Sequence, residues 1–246
     1  MNKTFHLKEN FNLSFNESST ITLFIESDLL KINYEFNNGT YNVLVFNNTD
    51  KDVEIEEKGF VKNSNVNITY IELNSFKYKQ NCNIDVYKDS DLNINSIYLG
   101  INNKEIKFDI FNKESNSSVF INNNVVCLNE VDFELDIIGN IAKGAKHSKC
   151  HQKSQCLTFE SPKKAKVLPV LNIDENDVEA SHSLSSGTID EEVLFYMNSR
   201  GLNKKESLGL LLVSYLMPSE DFYKDFEDGL FIKEIADKKV NTVCMM

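Results

Sequence analysis

Four histidines and five cysteines are the side chains of this sequence best suited to holding a soft or borderline metal, and two stretches gather most of them. In VEASHSLSSGTIDEEVLFYMNSRGL, residues 178–202, His182 stands among small hydroxyl residues just ahead of an aromatic-bearing segment. A neutral imidazole in that place can ligate a metal, act as a base, or simply end a strand with a polar group. Val178, Ala180 and His182 alternate with Glu179 and Ser181, so a strand here puts His182 on the face of Val178 and Ala180. The second stretch, HSKCHQKSQC, holds His147, Cys150, His151 and Cys156. Its spacing matches no zinc-finger template with a second ligand pair elsewhere. On a single strand His151 and Cys156 would point to opposite faces. A metal-dependent enzyme using His182 with Cys150 or Cys156 is the catalytic hypothesis these residues allow. No Gly-rich phosphate loop, G-x-S-x-G or H-E-x-x-H accompanies them, so a self-contained enzyme has little further support.

The elements that must position these residues are mostly strands. From Ile21 to Ile173 short alternating apolar runs succeed one another: ITLFIES, LKINYEF, YNVLVFN, VEIEE, VNITYIEL, LNINSIYL, KEIKFDIF and SSVFINN. Each reads as a strand with one buried face. Asn-rich breaks at Asn37-Asn38-Gly39, Asn47-Asn48, Asn102-Asn103 and Asn122-Asn123-Asn124 read as corners, because Asn tolerates the left-handed conformation. Such spacing with almost no helix fits an all-β sandwich, barrel or solenoid, and no exact repeat selects among them. Residues 1–20 read as a polar, loosely ordered lead-in, residues 21–187 as the β body, and residues 188–246 as a helical region. Thr188 with Glu191 forms an S/T-x-x-E capping pattern, and Arg200-Gly201 ends that helix. Asn203 with Glu206 caps a second helix that runs to Pro218, and LFIKEIADKKV supplies a third.

Composition narrows the function classes. The chain has 246 residues, 41% of them hydrophobic, with 17 Phe, enough for a sizeable core. Its net charge of -11, without a basic cluster, argues against nucleic acid or an anionic membrane surface as partner. The first twenty residues lack a signal-peptide apolar run and no stretch is long enough to span a bilayer, so a soluble cytoplasmic protein is expected. Five scattered cysteines, Cys244 among them, predict reduced thiols rather than a disulfide framework.

From Gly139 to Tyr215 the sequence resembles the C-terminal core of the SufB/SufD family of iron–sulfur cluster assembly proteins. The resemblance is carried by Ile141, Gly144 and Ala145; by Pro169, Leu171 and Ile173; by Val178, His182 and Gly187; and by Asp190, Phe195-Tyr196 and Ser199-Arg200-Gly201. It leans to the SufD side, since SufB members usually carry a glutamate where His182 stands. The resemblance implies a right-handed parallel β-helix (a solenoid) with a C-terminal helical cap. It implies a non-catalytic subunit that docks a SufC-like ABC-type ATPase through Phe195, Tyr196, Arg200 and Gly201. It also implies a SufB-like paralogue or a second copy as partner, with His182 a candidate ligand for a transient iron–sulfur cluster at their interface. Two features depart from the pattern. The position of the SufB cysteine falls at Lys163 or a neighbour, with Cys156 the nearest substitute. The chain is also short for the family, without its N-terminal helical region. The alternative is a structural or interaction solenoid without cluster chemistry.

Overall fold

The computed structural model describes residues 1–128, 131–159, 165–188 and 190–245, with side chains described as far as residue 242. Within them the chain lays down strands β1 (Asn2–Leu7), β2 (Phe11–Phe15), β3 (Ser19–Ile25), β4 (Leu29–Asn37), β5 (Thr40–Asn47), β6 (Val53–Lys62), β7 (Asn65–Glu72) and β8 (Tyr78–Val86). There follow β9 (Asp91–Gly100), β10 (Lys104–Asn112), β11 (Ser118–Leu128), β12 (Phe133–Ile141), β13 (Lys149–Phe159), β14 (Lys166–Ile173) and β15 (Glu179–Thr188). Helices α1 (Glu191–Ser199), α2 (Lys204–Leu216), α3 (Glu220–Lys224) and α4 (Gly229–Met245) complete it.

Odd-numbered strands form one eight-stranded sheet and even-numbered strands a seven-stranded one, each in chain order. Every neighbouring pair is parallel, so each turn of chain adds one strand to each sheet: a parallel β-solenoid. The turn is not of fixed length. Stacked side chains lie 21 residues apart at Asn12–Asn33, 25 at Asn42–Asn67, 27 at Asn95–Asn122 and 31 at Ser117–Ser148. That drift is why the sequence shows no exact repeat.

The two sheets differ in how they are covered, and the sequence carries the difference. Strands β4, β6, β8 and β10 of the even sheet alternate strictly, because one face meets solvent. Strands β3, β5, β7, β9 and β11 end in runs buried on both faces. Their inner residues join the solenoid core. Their outer residues, among them Phe24, Phe46, Ile71, Leu99 and Val126, pack against Leu212, Leu216, Tyr223, Ile232, Ala236 and Val240 of the helices. Each fully buried large apolar side chain contributes about 1.5–3 kcal/mol, so this second core holds the helices to the body. The helical region therefore folds back along the flank of the odd sheet and does not cover the end of the solenoid.

Several sequence expectations change in detail. Residues 1–20, expected as a lead-in, form β1, β2 and the start of β3, with Leu7, Leu13 and Phe15 in the core. Asn122-Asn123-Asn124 is no corner but lies inside β11. Asn123 is buried there, accepting from Ser96 and donating to Ser154 at 3.0 Å. The Asn37-Asn38-Gly39 corner forms as expected, and Asn38 shares its positive φ with Asn63, Asp89, Asn116 and His147 at the other turns. Thr188 belongs to β15, so Asp190 caps α1 by accepting from the Glu192 amide, whereas the Asn203–Glu206 capping box forms as expected. Among the described residues no helix is long and apolar enough to cross a membrane.

Candidate functional site

The solenoid ends in a rung without a neighbour. Strands β14 and β15 are the last members of their sheets, each hydrogen-bonded on one side only among the described residues. Unpaired edges of this kind are templates for pairing with another chain. Large apolar side chains stand exposed on this rung at Leu168, Ile173 and Leu184.

His182 sits on β15 with Gln152 of β13 as its register partner. Gln152 is inward-facing and only 3% exposed, so by parity His182 belongs to the inner row along with Ala180, the face expected from the alternation. With no further rung above it the imidazole is exposed, and it makes no hydrogen bond among the described residues. Directly below, the Gln152 amide nitrogen donates to the Val170 carbonyl at 3.0 Å across the solenoid. Its Oε1 is buried and has no hydrogen-bond partner among the described residues. Gly139 makes this arrangement possible: a Cβ there would meet Cys150 Sγ at 2.5 Å and Gln152 Nε2 at 2.9 Å.

The remaining metal-ligating residues are not gathered around His182. Cys156 is the register partner of Ser186, four positions along β15, or roughly 13 Å at the rise of a strand. The pairing of His182 with Cys156 expected from sequence therefore does not form. Cys156 instead lies on the inner face beside Cys127 of β11, whose thiol donates to it. That contact raises the Cys127 thiol and lowers Cys156. Cys150, also inward, is pushed up to about 12 by burial. His151 points outward, 2.7 Å from Ser181 Oγ and stacked on Phe120, while His147 turns the corner beside Asp177. The His/Cys stretch is thus divided by strand alternation. Among the described residues no three His, Cys, Asp or Glu side chains converge. Lys163 and the Cys244 side chain lie outside the described residues.

The helix residues singled out by sequence lie on α1 and at its C-terminal end. Helix α1 buries no residue; Phe195 is 76% and Tyr196 58% exposed, so Phe195 is not core packing. The Arg200 guanidinium lies 5.2 Å from the Tyr196 ring centre. Gly201 takes φ 95°, the left-handed value that ends a helix without a Cβ clash.

Sequence reading missed two buried polar clusters in the middle rungs. The Glu57 carboxylate accepts from Tyr34 at 2.9 Å, Tyr70 at 2.8 Å and Gln80 at 3.1 Å. Burial raises its pKa, and these hydrogen bonds with that of Cys82 oppose the rise. Nearby, Lys104 and Glu72 pair at 2.8 Å with side chains 0% and 2% exposed. Asn47 donates to Glu72, and Lys239 of α4 donates to Asn74, which ties the helical region into the same cluster. Alternation held a signal for both: Glu57 shares the parity of Val53 and Ile55, Lys104 that of Ile106 and Phe108, and Glu72 that of Ile68 and Tyr70.

Comparison with known proteins agrees with this architecture. Residues 32–215 match the family described as the SUF system FeS cluster assembly, SufBD core domain. The iron–sulfur cluster assembly protein SufD of Bacillus subtilis is 37% identical over 81 residues, 33% of this chain and 18% of that protein. SufD of Escherichia coli is 32% identical over 57 residues, 23% of this chain and 14% of that protein. A SufBD family protein of Pyrococcus horikoshii is 31% identical over 80 residues, 32% of this chain and 18% of that protein. The aligned stretch thus spans less than a fifth of each of these relatives. With the family match extending over most of the solenoid and on into α2, the chain belongs to the SufBD core-domain family of iron–sulfur cluster assembly proteins.

Proposed function

We propose that the chain is a non-catalytic subunit of a cytoplasmic Suf-type iron–sulfur cluster assembly complex. The observation that carries this reading is the uncovered last rung, whose inner row presents a ligand-type side chain, His182, without a partner. A SufB-like paralogue or a second copy would pair along β14 and β15, cover Leu168 and Leu184, and close a compartment around His182. The cluster is cargo, built or held transiently at that interface, with His182 as one ligand from this chain.

The helical flank suits the second role. Phe195 and Tyr196, with Arg200 and Gly201 at the helix end, offer an aromatic surface to a SufC-like ABC-type ATPase. Helices α2–α4 are packed on the same sheet that ends in β15, so nucleotide-driven movement of the ATPase has a rigid body to act on. A ligand shifts such an assembly only by its differential affinity for two states, which ATP binding and hydrolysis supply.

An anaerobic affinity pull-down from the native cell, with bound proteins identified by mass spectrometry, tests the complex. Recovery of an ABC-type ATPase supports it. A folded bait without an ATPase favours a plain interaction solenoid. His182→Ala then tests the cargo role: cluster acquisition by the complex is lost while the variant still folds and still binds its partners. Unchanged acquisition removes His182 from the ligand set.

A further inference from the structure

Gln152 is an unusual residue to bury. A buried amide oxygen without a donor costs about 1–3 kcal/mol, and an apolar side chain of the same length avoids that cost. Its nitrogen is fixed on the Val170 carbonyl, so the amide cannot flip to hide the oxygen without losing that bond. Gly139 below leaves the space the amide occupies. Around Oε1 the register partners are Ile121 on β11, which has no donor, and His182 on β15, which has two ring nitrogens. Ser154, the next inner residue along β13, accepts from the Asn123 amide and makes no hydrogen bond to Gln152 Oε1.

We infer that Gln152 is the positioning residue of His182: the imidazole turns inward, Nδ1–H donates to Gln152 Oε1, and Nε2 is left bare toward the open end of the solenoid. In-register side chains on parallel strands stand about 4.8 Å apart, within reach of this contact by side-chain rotation alone. The chemistry suits a ligand. A metal-binding histidine gives its second ring N–H to an oxygen acceptor, which fixes the tautomer and aims the free nitrogen. This inference rests on His182 as cluster ligand for its purpose, but not for its geometry.

The test is the ring tautomer of His182, read from multiple-bond 1H–15N spectra of the full-length chain labelled at histidine, above the titration range. The wild type holds Nδ1–H, the minor form of free histidine. Gln152→Met, matched in length but without an acceptor, shifts the signals to Nε2–H, and Gln152→Glu, which keeps the oxygens, retains Nδ1–H. Cluster loading of Gln152→Met falls about 10–100-fold, the usual penalty for removing such a partner. An Nε2–H ring in the wild type, or signals unmoved in folded Gln152→Met, overturns the inference. Should Gln152→Met fail to fold, the wild-type tautomer decides alone. The two claims fail separately. A tautomer shift with undiminished loading in His182→Ala sinks the ligand reading, whereas lost loading in His182→Ala with an unmoved tautomer sinks the role of Gln152.

Discussion

The middle rungs and the last rung of this solenoid are built from the same strand stacking, yet they treat polar groups in opposite ways. In the middle, Glu57 is surrounded by Tyr34, Tyr70 and Gln80, and Lys104 is matched to Glu72 and the Asn74 carbonyl. Each charged group has a rung above and below to supply partners. At the end, Gln152 Oε1 is buried without a partner and His182 is exposed without one. A solenoid satisfies its interior through neighbouring turns; Gln152 and Asp136, each stacked under a last strand, keep a buried oxygen without a partner among the described residues, as do Asn112, Ser207 and Tyr223 elsewhere.

The largest effect should come from breaking the interior pair. Lys104→Ala leaves Glu72 buried without its cation, and removing one member of a buried pair costs about 3–5 kcal/mol. Urea unfolding measures it. A loss under about 1 kcal/mol would mean that the middle rungs do not depend on internal matching, and the contrast would collapse. Gly139→Ala comes next. Its new Cβ would meet Cys150 and Gln152 at distances that force movement, which costs about 1–3 kcal/mol. Gly187→Ala on the last rung meets nothing within 4 Å and should change stability by less than about 0.5 kcal/mol.

Titration sharpens the contrast further. Burial raises the Glu57 pKa above the ordinary carboxylate value of 4.5. The folded state therefore holds that proton more tightly than the unfolded chain. Its stabilising contribution is fully present below about pH 4.5 and is lost as pH rises through the raised value. Glu57→Gln removes this dependence, so its stability relative to wild type should improve as pH increases across that window. The slope is at most about 1.4 kcal/mol per pH unit. Parallel wild-type and variant stability profiles from pH 4 to 8 would show that folding does not shift the Glu57 pKa.

How far the sequence discloses this molecule follows from the same contrast. A strand whose inner row is aliphatic and aromatic, such as β4 with Leu30, Ile32, Tyr34 and Phe36, is legible from alternation alone. Strand β8 is not, because its inner row runs Tyr78, Gln80, Cys82, Ile84 and Val86, and Gln80 breaks the hydrophobic pattern in order to serve Glu57. The parity of His182 was legible from Val178 and Ala180. Its true neighbour was not, since Gln152 lies 30 residues earlier by a turn length that drifts along the chain. Similarly, HSKCHQKSQC looks like a cluster in one dimension, but strand alternation sends Cys150, Gln152 and Cys156 inward and His151 outward. The flank helices were visible as helices, while their place against the odd sheet depended on recognising that β3 to β11 are apolar on both faces at their ends.

The smallest stability effect is the most decisive for function. Phe195 projects from a helix that buries none of its residues, so Phe195→Asp removes no packing within this chain. Its unfolding free energy should stay within about 0.5 kcal/mol of wild type, as for other exposed positions. The Phe195 ring is 76% exposed beside an exposed tyrosine. If a partner buries it, a carboxylate placed in that interface adds a desolvation penalty to the lost contact. Co-purification of the ATPase should therefore disappear from Phe195→Asp while the denaturation curve is unchanged. If the curve shifts by several kcal/mol instead, Phe195 belongs to the packed interior in solution and α1 cannot be the docking surface. If neither changes, the partner grips another face, and the exposed Leu210 and Tyr215 of α2 are the next residues to substitute.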